Sequence, residues 1–122
     1  MTKAAALYSF FSSFGLTAYE ENTVPTGAEF PYLTYNVITD SIGNEVSLSC
    51  SLWYRSDSWL AANAKAEQIS LAISSGGKTI PCDGGAVWLK RGSPFAQSMG
   101  DDSDNLIKRK LLNITAEFLT FN

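Results

Sequence analysis

Histidine is absent from the 122-residue sequence. Histidine is the commonest general base, the commonest metal ligand and the side chain that titrates near neutral pH. Its absence excludes a Ser-His-Asp triad and a Cys-His nucleophile pair. The sequence therefore lacks the residue on which most hydrolytic and many metal-dependent sites depend.

Cysteine is scarce, and Cys50 and Cys82 lack the close spacing of metal ligands. We expect both to be small apolar residues in a reducing compartment rather than a disulfide, with the Cys50 thiol facing the core. The sequence thus predicts no metal site.

Long apolar runs are also absent, since none reaches the about 18 residues that a membrane-spanning helix requires. The segment after Lys3 has the composition of a secretory signal, but Leu7, Phe10, Phe11 and Phe14 recur at helical spacing. This stripe is typical of an amphipathic helix. We expect a soluble protein that is made in a cytoplasm and has no membrane partner.

Positive charge is in slight deficit, with 9 Lys and Arg against 12 Asp and Glu and a formal net charge of -3. This balance argues against a general nucleic-acid binder. Carboxylates cluster at Glu20–Glu21 and at Asp101, Asp102 and Asp104, within stretches typical of exposed loops. Acid–base catalysis needs two carboxylates in unlike, partly desolvated surroundings, and a calcium loop needs further ligands. We predict that the protein is not an enzyme.

The chain is organised around a strand and a helix within Glu45–Ser74. Apolar and polar residues alternate in its first half, which predicts a half-buried strand. From Trp59 onward apolar residues recur every three or four positions, which predicts an amphipathic helix that stops at Gly76–Gly77. The candidate N-caps are Ser56, Asp57 and Ser58. The residues expected between helix and sheet are Leu48, Leu52, Trp59, Ile69 and Ile73.

The remaining segments complete an α+β domain over residues 1–122. The predicted elements are a helix over Thr2–Phe14, strands at Leu16–Tyr19, Tyr32–Thr39, Lys78–Cys82 and Ala86–Arg91, and a last strand over Leu106–Phe121. The order is α-β-β-β-α-β-β-β, with two helices on one face of a mainly antiparallel sheet. A slip in alternation at Leu111–Leu112 predicts a bulge.

Two segments are predicted to be mobile loops that dock on neighbouring molecules. One is Gly92–Asn105, which has no period and contains the apolar residues Phe95 and Met99. The other is the connection made by Asp40, Ser41, Ile42, Gly43 and Asn44. Between them, Ser47, Ser49 and Ser51 form a small polar strand face, which is either solvated or covered by a neighbouring molecule.

Several ordered features carry a family resemblance. An N-terminal helix ends in Gly15-Leu16, and Val24-Pro25 and the segment Phe30–Tyr35 (FPYLTY) follow. The long strand ends in Leu52–Ser56 (LWYRS) before a helix containing Ala66–Ile69 (AEQI), and the last strand runs from Ile107 to Phe118. The chain resembles the tail-completion, or tail-terminator, proteins of long-tailed bacteriophages over nearly its whole length.

This resemblance implies a structural subunit of a hexameric ring in the virion. Such a ring ends the tail tube, joins the tail to the head-completion or connector protein, and lets DNA pass without specific binding. The resemblance implies no cofactor. Two alternatives remain: another neck component, such as a head-closure or tail-tube protein, and a monomeric α+β binding module.

Segregated charge suits a ring, in which one face of each subunit meets a different face of the next. The candidate interface residues are the acids Asp101, Asp102 and Asp104 and the bases Lys90, Arg91, Lys108, Arg109 and Lys110. We expect acid and base to meet between subunits, although contacts within one subunit or with solvent are equally compatible with the pattern.

Overall fold

The fold is described by a computed structural model of residues 1–122, and its elements follow the predicted order. The helices are α1 (Lys3–Phe11), extended by a 3-10 turn (Ser12–Phe14), and α2 (Leu60–Ile73). The strands are β1 (Thr17–Glu20), β2 (Tyr32–Tyr35), β3 (Glu45–Arg55), β4 (Lys78–Cys82), β5 (Gly85–Gly100) and β6 (Ile107–Thr120).

Six strands form one sheet in the order β1-β2-β3-β6-β5-β4. Only β1 and β2 are parallel; every other neighbouring pair is antiparallel. The centre is the pair β3–β6, in which all 11 residues of β3 have a partner. The predicted α+β class and element order are confirmed.

Both helices pack on the same face of the sheet. Phe11 of α1 is fully buried and stacks on Tyr35 of β2, with ring centroids 4.8 Å apart. The inward face of α2 consists of Ala62, Ala66, Ile69 and Ile73, as its spacing predicts. The opposite face of the sheet carries no helix, and we call it the uncovered face.

The helix ends follow local chemistry. The Thr2 hydroxyl accepts a hydrogen bond from the backbone N–H of Ala5 at 3.0 Å, and Gly15 ends the N-terminal helical segment with φ 81°. At α2, Trp59 occupies the cap position, and the Ser58 hydroxyl accepts from the N–H of Leu60 at 3.1 Å. None of the helices is long and apolar enough to cross a bilayer.

Gly92–Asn105 is not the loop that the sequence predicts. Its first nine residues continue β5 as far as Gly100, and only the turn before β6 lies outside the sheet. The strand tolerates Pro94 because the ladder with β6 is interrupted between Arg91 and Ala96. Asn113 of β6 bridges this gap by donating from Nδ2 to the carbonyl of Pro94 at 3.0 Å.

This continuation changes two further predictions. Phe95 and Met99 are strand residues rather than loop residues, and Phe95 packs against the core. The irregularity expected at Leu111–Leu112 lies in β5 instead, since β6 runs against β3 without a shift in register.

Trp59 is half-buried rather than buried, unlike the other four residues expected between helix and sheet. The ammonium groups of Lys108 and Lys110 lie 5.8 and 5.9 Å from its ring centroid. Truncating Trp59 should therefore cost less than the about 3–5 kcal/mol of a fully buried aromatic residue.

The two cysteines are free, as predicted. Cys50 on β3 is buried, and burial raises the pKa of its thiol. Cys82 lies on β4, and β6 and β5 run between the two strands. Three strand spacings amount to about 14 Å, which is too far for a disulfide.

Candidate assembly surfaces

An aromatic and cationic cluster lies on the uncovered face, where β1, β2, β3 and β6 run side by side. Tyr32 stacks on Trp53 with ring centroids 6.2 Å apart, and Tyr19 meets Tyr32 edge-on at 5.8 Å. The guanidinium carbon of Arg109 lies 5.1 Å from the Trp53 ring centroid, within cation–π range. We call these four residues the Arg109 cluster.

Hydrogen bonds fix this cluster. Arg109 donates from Nε to the Ser51 hydroxyl at 3.0 Å, and Trp53 donates from Nε1 to the Thr34 hydroxyl at 2.9 Å. Because Ser51 lies under Arg109, its exposed fraction is only 2%. The prediction that the three serines are either solvated or covered by a neighbouring molecule is therefore wrong at Ser51, which is covered by its own chain.

A cleft of about 420 Å³ opens beside the cluster. Its lining residues are Glu21, Asn22, Val24, Tyr32, Thr34, Trp53 and Arg109. It offers aromatic surface, hydroxyl and amide groups and charges of both signs.

The base Lys90 is engaged within its own subunit. Its ammonium group donates to Glu45 and lies 3.7 Å from the Glu117 carboxylate. The hydrogen bond with Glu45 is the main reason that the pKa of Lys90 is raised. Arg91 is exposed and donates to the Ser70 hydroxyl of α2 at 3.0 Å.

The three consecutive bases of β6 point to different sides of the sheet, because side chains alternate along a strand. Arg109 lies on the uncovered face, whereas Lys108 and Lys110 lie beside Trp59 on the helix face. Lys110 also donates to the Ser98 hydroxyl at 3.0 Å. These bases therefore cannot act as one patch.

Two of the three acidic side chains in the turn between β5 and β6 also have partners within their own chain. Asp104 pairs with Arg55 at 3.2 Å. Asp101 accepts hydrogen bonds from the hydroxyl and backbone N–H of Ser103, which lower the pKa of its carboxyl. Asp102 is exposed and makes no hydrogen bond or ion pair. No group of three His, Cys, Asp or Glu side chains could hold a metal ion.

The connection Asp40–Asn44 lies outside the helices and strands, as predicted. It is tethered at two points: the backbone N–H of Ile42 donates to the carbonyl of Thr120 at 2.8 Å, and Lys3 donates to the carbonyl of Asp40 at 2.9 Å. The Ile42 side chain is 55% exposed at the end of the sheet. The loop thus presents an apolar side chain on an anchored backbone.

The sheet has two open edges. On one side β4 covers β5 only from Gly85 to Leu89, so no strand pairs with the outer side of β5 from Lys90 to Gly100. On the other side β1 is the last strand. The long edge is not apparent in the sequence because Gly92 and Pro94 are residues typical of loops, although the strand continues past them to Gly100.

The tripeptide Gly77-Lys78-Thr79 matches the end of a phosphate-binding loop in sequence alone. Such a loop lies between a strand and the helix that follows it. Here the tripeptide follows α2 and leads into β4, so it offers no helix N-terminus to a phosphate.

No protein-family model matches the sequence, and no curated protein is significantly similar to it. A solved structure has the same fold with a TM-score of 0.65. The match covers 98% of this chain and 94% of the other at 14% identity. At this identity the likeness establishes the fold alone.

Proposed function

We propose that the chain is a structural virion protein that forms a hexameric ring, which ends a bacteriophage tail tube and joins the tail to the head. Its partners are copies of itself, the tail-tube protein and the head-completion or connector protein, and DNA passes through the ring without specific binding. In this role the protein is not an enzyme. The proposal extends the resemblance carried by FPYLTY (30–35) and LWYRS (52–56).

The observation that carries the proposal is that the sheet ends in two open edges of different sequence. Open edges are sites where another chain can add a strand, and soluble proteins usually shorten or cover them. Two unlike edges on opposite sides of one subunit suit head-to-tail contact, which closes into a ring when the rotation allows it.

Ion pairs within the subunit reduce the number of charged residues that are available to pair with a neighbouring subunit. Lys90 and Asp104 already have partners in their own chain, whereas Arg91 and Asp102 are exposed and form no ion pair. An exposed ion pair contributes only about 0.2–1 kcal/mol, so charge would set register while apolar and backbone contacts supply most of the affinity. Asp102 and Arg91 both lie on the β5 side of the subunit, so each remains a candidate for contact with the next subunit but not with the other.

The test is a tail-tube assay. Purified protein is added to polymerising tail-tube protein, tube lengths are measured by electron microscopy, and the tube ends are inspected for a ring. A terminator should shorten the tubes in a dose-dependent way and appear at one end of each. Incorporation along the whole tube would favour a tube protein, and binding only to isolated connectors would favour a head-closure protein. Tubes of unchanged length with bare ends would contradict the proposal.

A further inference from the structure

The two open edges lie at the same level of the sheet. Following the strand pairing across the sheet from Thr17 of β1 leads through Tyr32, Trp53 and Arg109 to Met99 of β5. Following it from Glu20 leads in the same way to Ala96, through Tyr35, Cys50 and Leu112. The four residues of β1 are thus level with Ala96–Met99, within the part of β5 that β4 leaves uncovered.

The directions of the two edges are also compatible. β1 runs parallel to β2, and each later step from β2 to β5 reverses direction. As a result β5 runs opposite to β1. When copies are related by rotation about an axis along the strands, β5 of one copy meets β1 of the next as an antiparallel neighbour without any rise along the axis.

The backbone groups of β5 point the right way for this pairing. In an antiparallel ladder, residues alternate between those that bond to one neighbouring strand and those that bond to the other. The N–H of Asn36 donates to the carbonyl of Ser49 at 3.1 Å, which fixes the alternation across β3 and β6. It follows that Gln97 and Met99 bond to β6, and that Ala96 and Ser98 point their N–H and C=O groups outward.

The matching groups of β1 are Ala18 and Glu20. The N–H of Glu21 donates to the carbonyl of Tyr35 at 2.8 Å, so Glu21 and Tyr19 bond to β2 while Ala18 and Glu20 face outward. The Glu20 carbonyl is already occupied by the N–H of Thr23 at 3.1 Å. Three outward groups have no hydrogen-bond partner at this edge: the N–H of Glu20, which is exposed, and the N–H and C=O of Ala18, a residue that is 7% exposed.

We propose that the free edge of β5 in one subunit adds to β1 of a second copy in one register, an inference that rests on the proposed ring. In that register Ala18 exchanges two hydrogen bonds with Ser98 of the neighbouring copy, and the N–H of Glu20 donates to the carbonyl of Ala96. Thr17 then lies opposite Met99, and both lie on the uncovered face, so the two sheets continue as one.

The register also places side chains suitably. Glu20 is exposed on the helix face, the same face on which Lys110 lies two strands away across the joint. The turn that holds Asp101 comes level with Gly15, beside which the Lys65 ammonium group lies. With five strands per subunit at about 4.8 Å spacing, the continuous sheet of six subunits would form a cylinder with a diameter of about 46 Å.

Disulfide trapping tests the register directly. Thr17→Cys and Met99→Cys are combined in a Cys82→Ser background, since Cys50 is buried. In the proposed ladder this is a non-hydrogen-bonded pair with Cα atoms about 4.5 Å apart, a separation that a disulfide can span. The control combines Thr17→Cys with Gln97→Cys, a diagonal pair about 7–8 Å apart on the same face. Tyr19→Cys with Gln97→Cys is a second directly opposite pair, which replaces the first if the first combination fails to fold.

The directly opposite pairs should cross-link at least about tenfold faster than the diagonal pair, and under non-reducing conditions they should give a ladder of bands that ends at six chains. If electron microscopy shows rings but the opposite and diagonal pairs cross-link equally slowly, the edge joint is overturned and the ring is not. A protein that stays monomeric at high concentration and with tail tubes present would overturn both.

Discussion

Replacing Ser98 by proline tests whether the outward backbone of β5 holds subunits together. In the free subunit the N–H of Ser98 faces solvent, and an edge strand tolerates proline at such a position. In the proposed joint that N–H donates to the carbonyl of Ala18 in the next copy. The substitution should therefore leave the monomer's free energy of unfolding nearly unchanged and weaken every joint of the ring.

The size of the effect follows from one hydrogen bond per joint. A net contribution of about 0.5–1.5 kcal/mol per bond, lost at six joints, should raise the midpoint concentration of hexamer assembly about 3- to 20-fold. Steric contact between the proline ring and the neighbouring strand adds to this. The assay is light scattering over a dilution series, with thermal unfolding of the monomer measured alongside.

Two controls separate backbone from side-chain effects. Ser98→Ala keeps the N–H and loses only the 3.0 Å contact with Lys110, so its assembly midpoint should stay near that of the unchanged protein. Gln97→Pro removes an N–H that bonds to β6 and should destabilise the monomer itself by about 1–3 kcal/mol. Equal assembly midpoints for Ser98→Pro and Ser98→Ala would refute the reasoning.

Three further predictions concern the core, a buried thiol and a loop. Phe11→Ala should lower the free energy of unfolding by about 3–5 kcal/mol in denaturant titrations, whereas Phe121→Ala, at a residue 89% exposed, should change it by less than about 0.5 kcal/mol; equal midpoints would contradict the placement of α1. Because burial raises the pKa of the Cys50 thiol, the folded state retains a proton that the unfolded state releases above about pH 9; stability should fall by about 1.4 kcal/mol per pH unit there, and a Cys50→Ala variant with the same slope would rule this out. Amide exchange in Asp40–Asn44 should be slower in the assembled particle than in the free protein, with Ile42 already partly protected by its bond to Thr120, and unchanged rates would remove the docking role of the loop.

The sequence predicts best where one periodicity runs uninterrupted. Alternation places β3 and its buried residues Leu48, Cys50 and Leu52 correctly, and the change to helical spacing at Trp59 locates the start of α2 within one residue. Thr2 and Gly15 fix the ends of the first helical segment because each satisfies a local requirement of the backbone. These features depend on residues close together in the chain.

The predictions that are wrong depend on partners distant in sequence. Gly92 and Pro94 are turn residues by composition, yet β6 provides a ladder on which β5 continues past them. Ser51 belongs to a polar strand face by pattern, yet Arg109 closes over it. No local pattern specifies which strands become neighbours, so neither the Arg109 cluster nor the level alignment of the two edges is visible in the sequence.

The central claim is that copies of this chain close into a ring of six, and mass in solution tests it most directly. Light scattering over a wide concentration range, with electron microscopy of the largest species, should give a closed ring with six times the mass of one chain. A single species with the mass of one chain at every concentration, and also in the presence of tail tubes, would contradict the account.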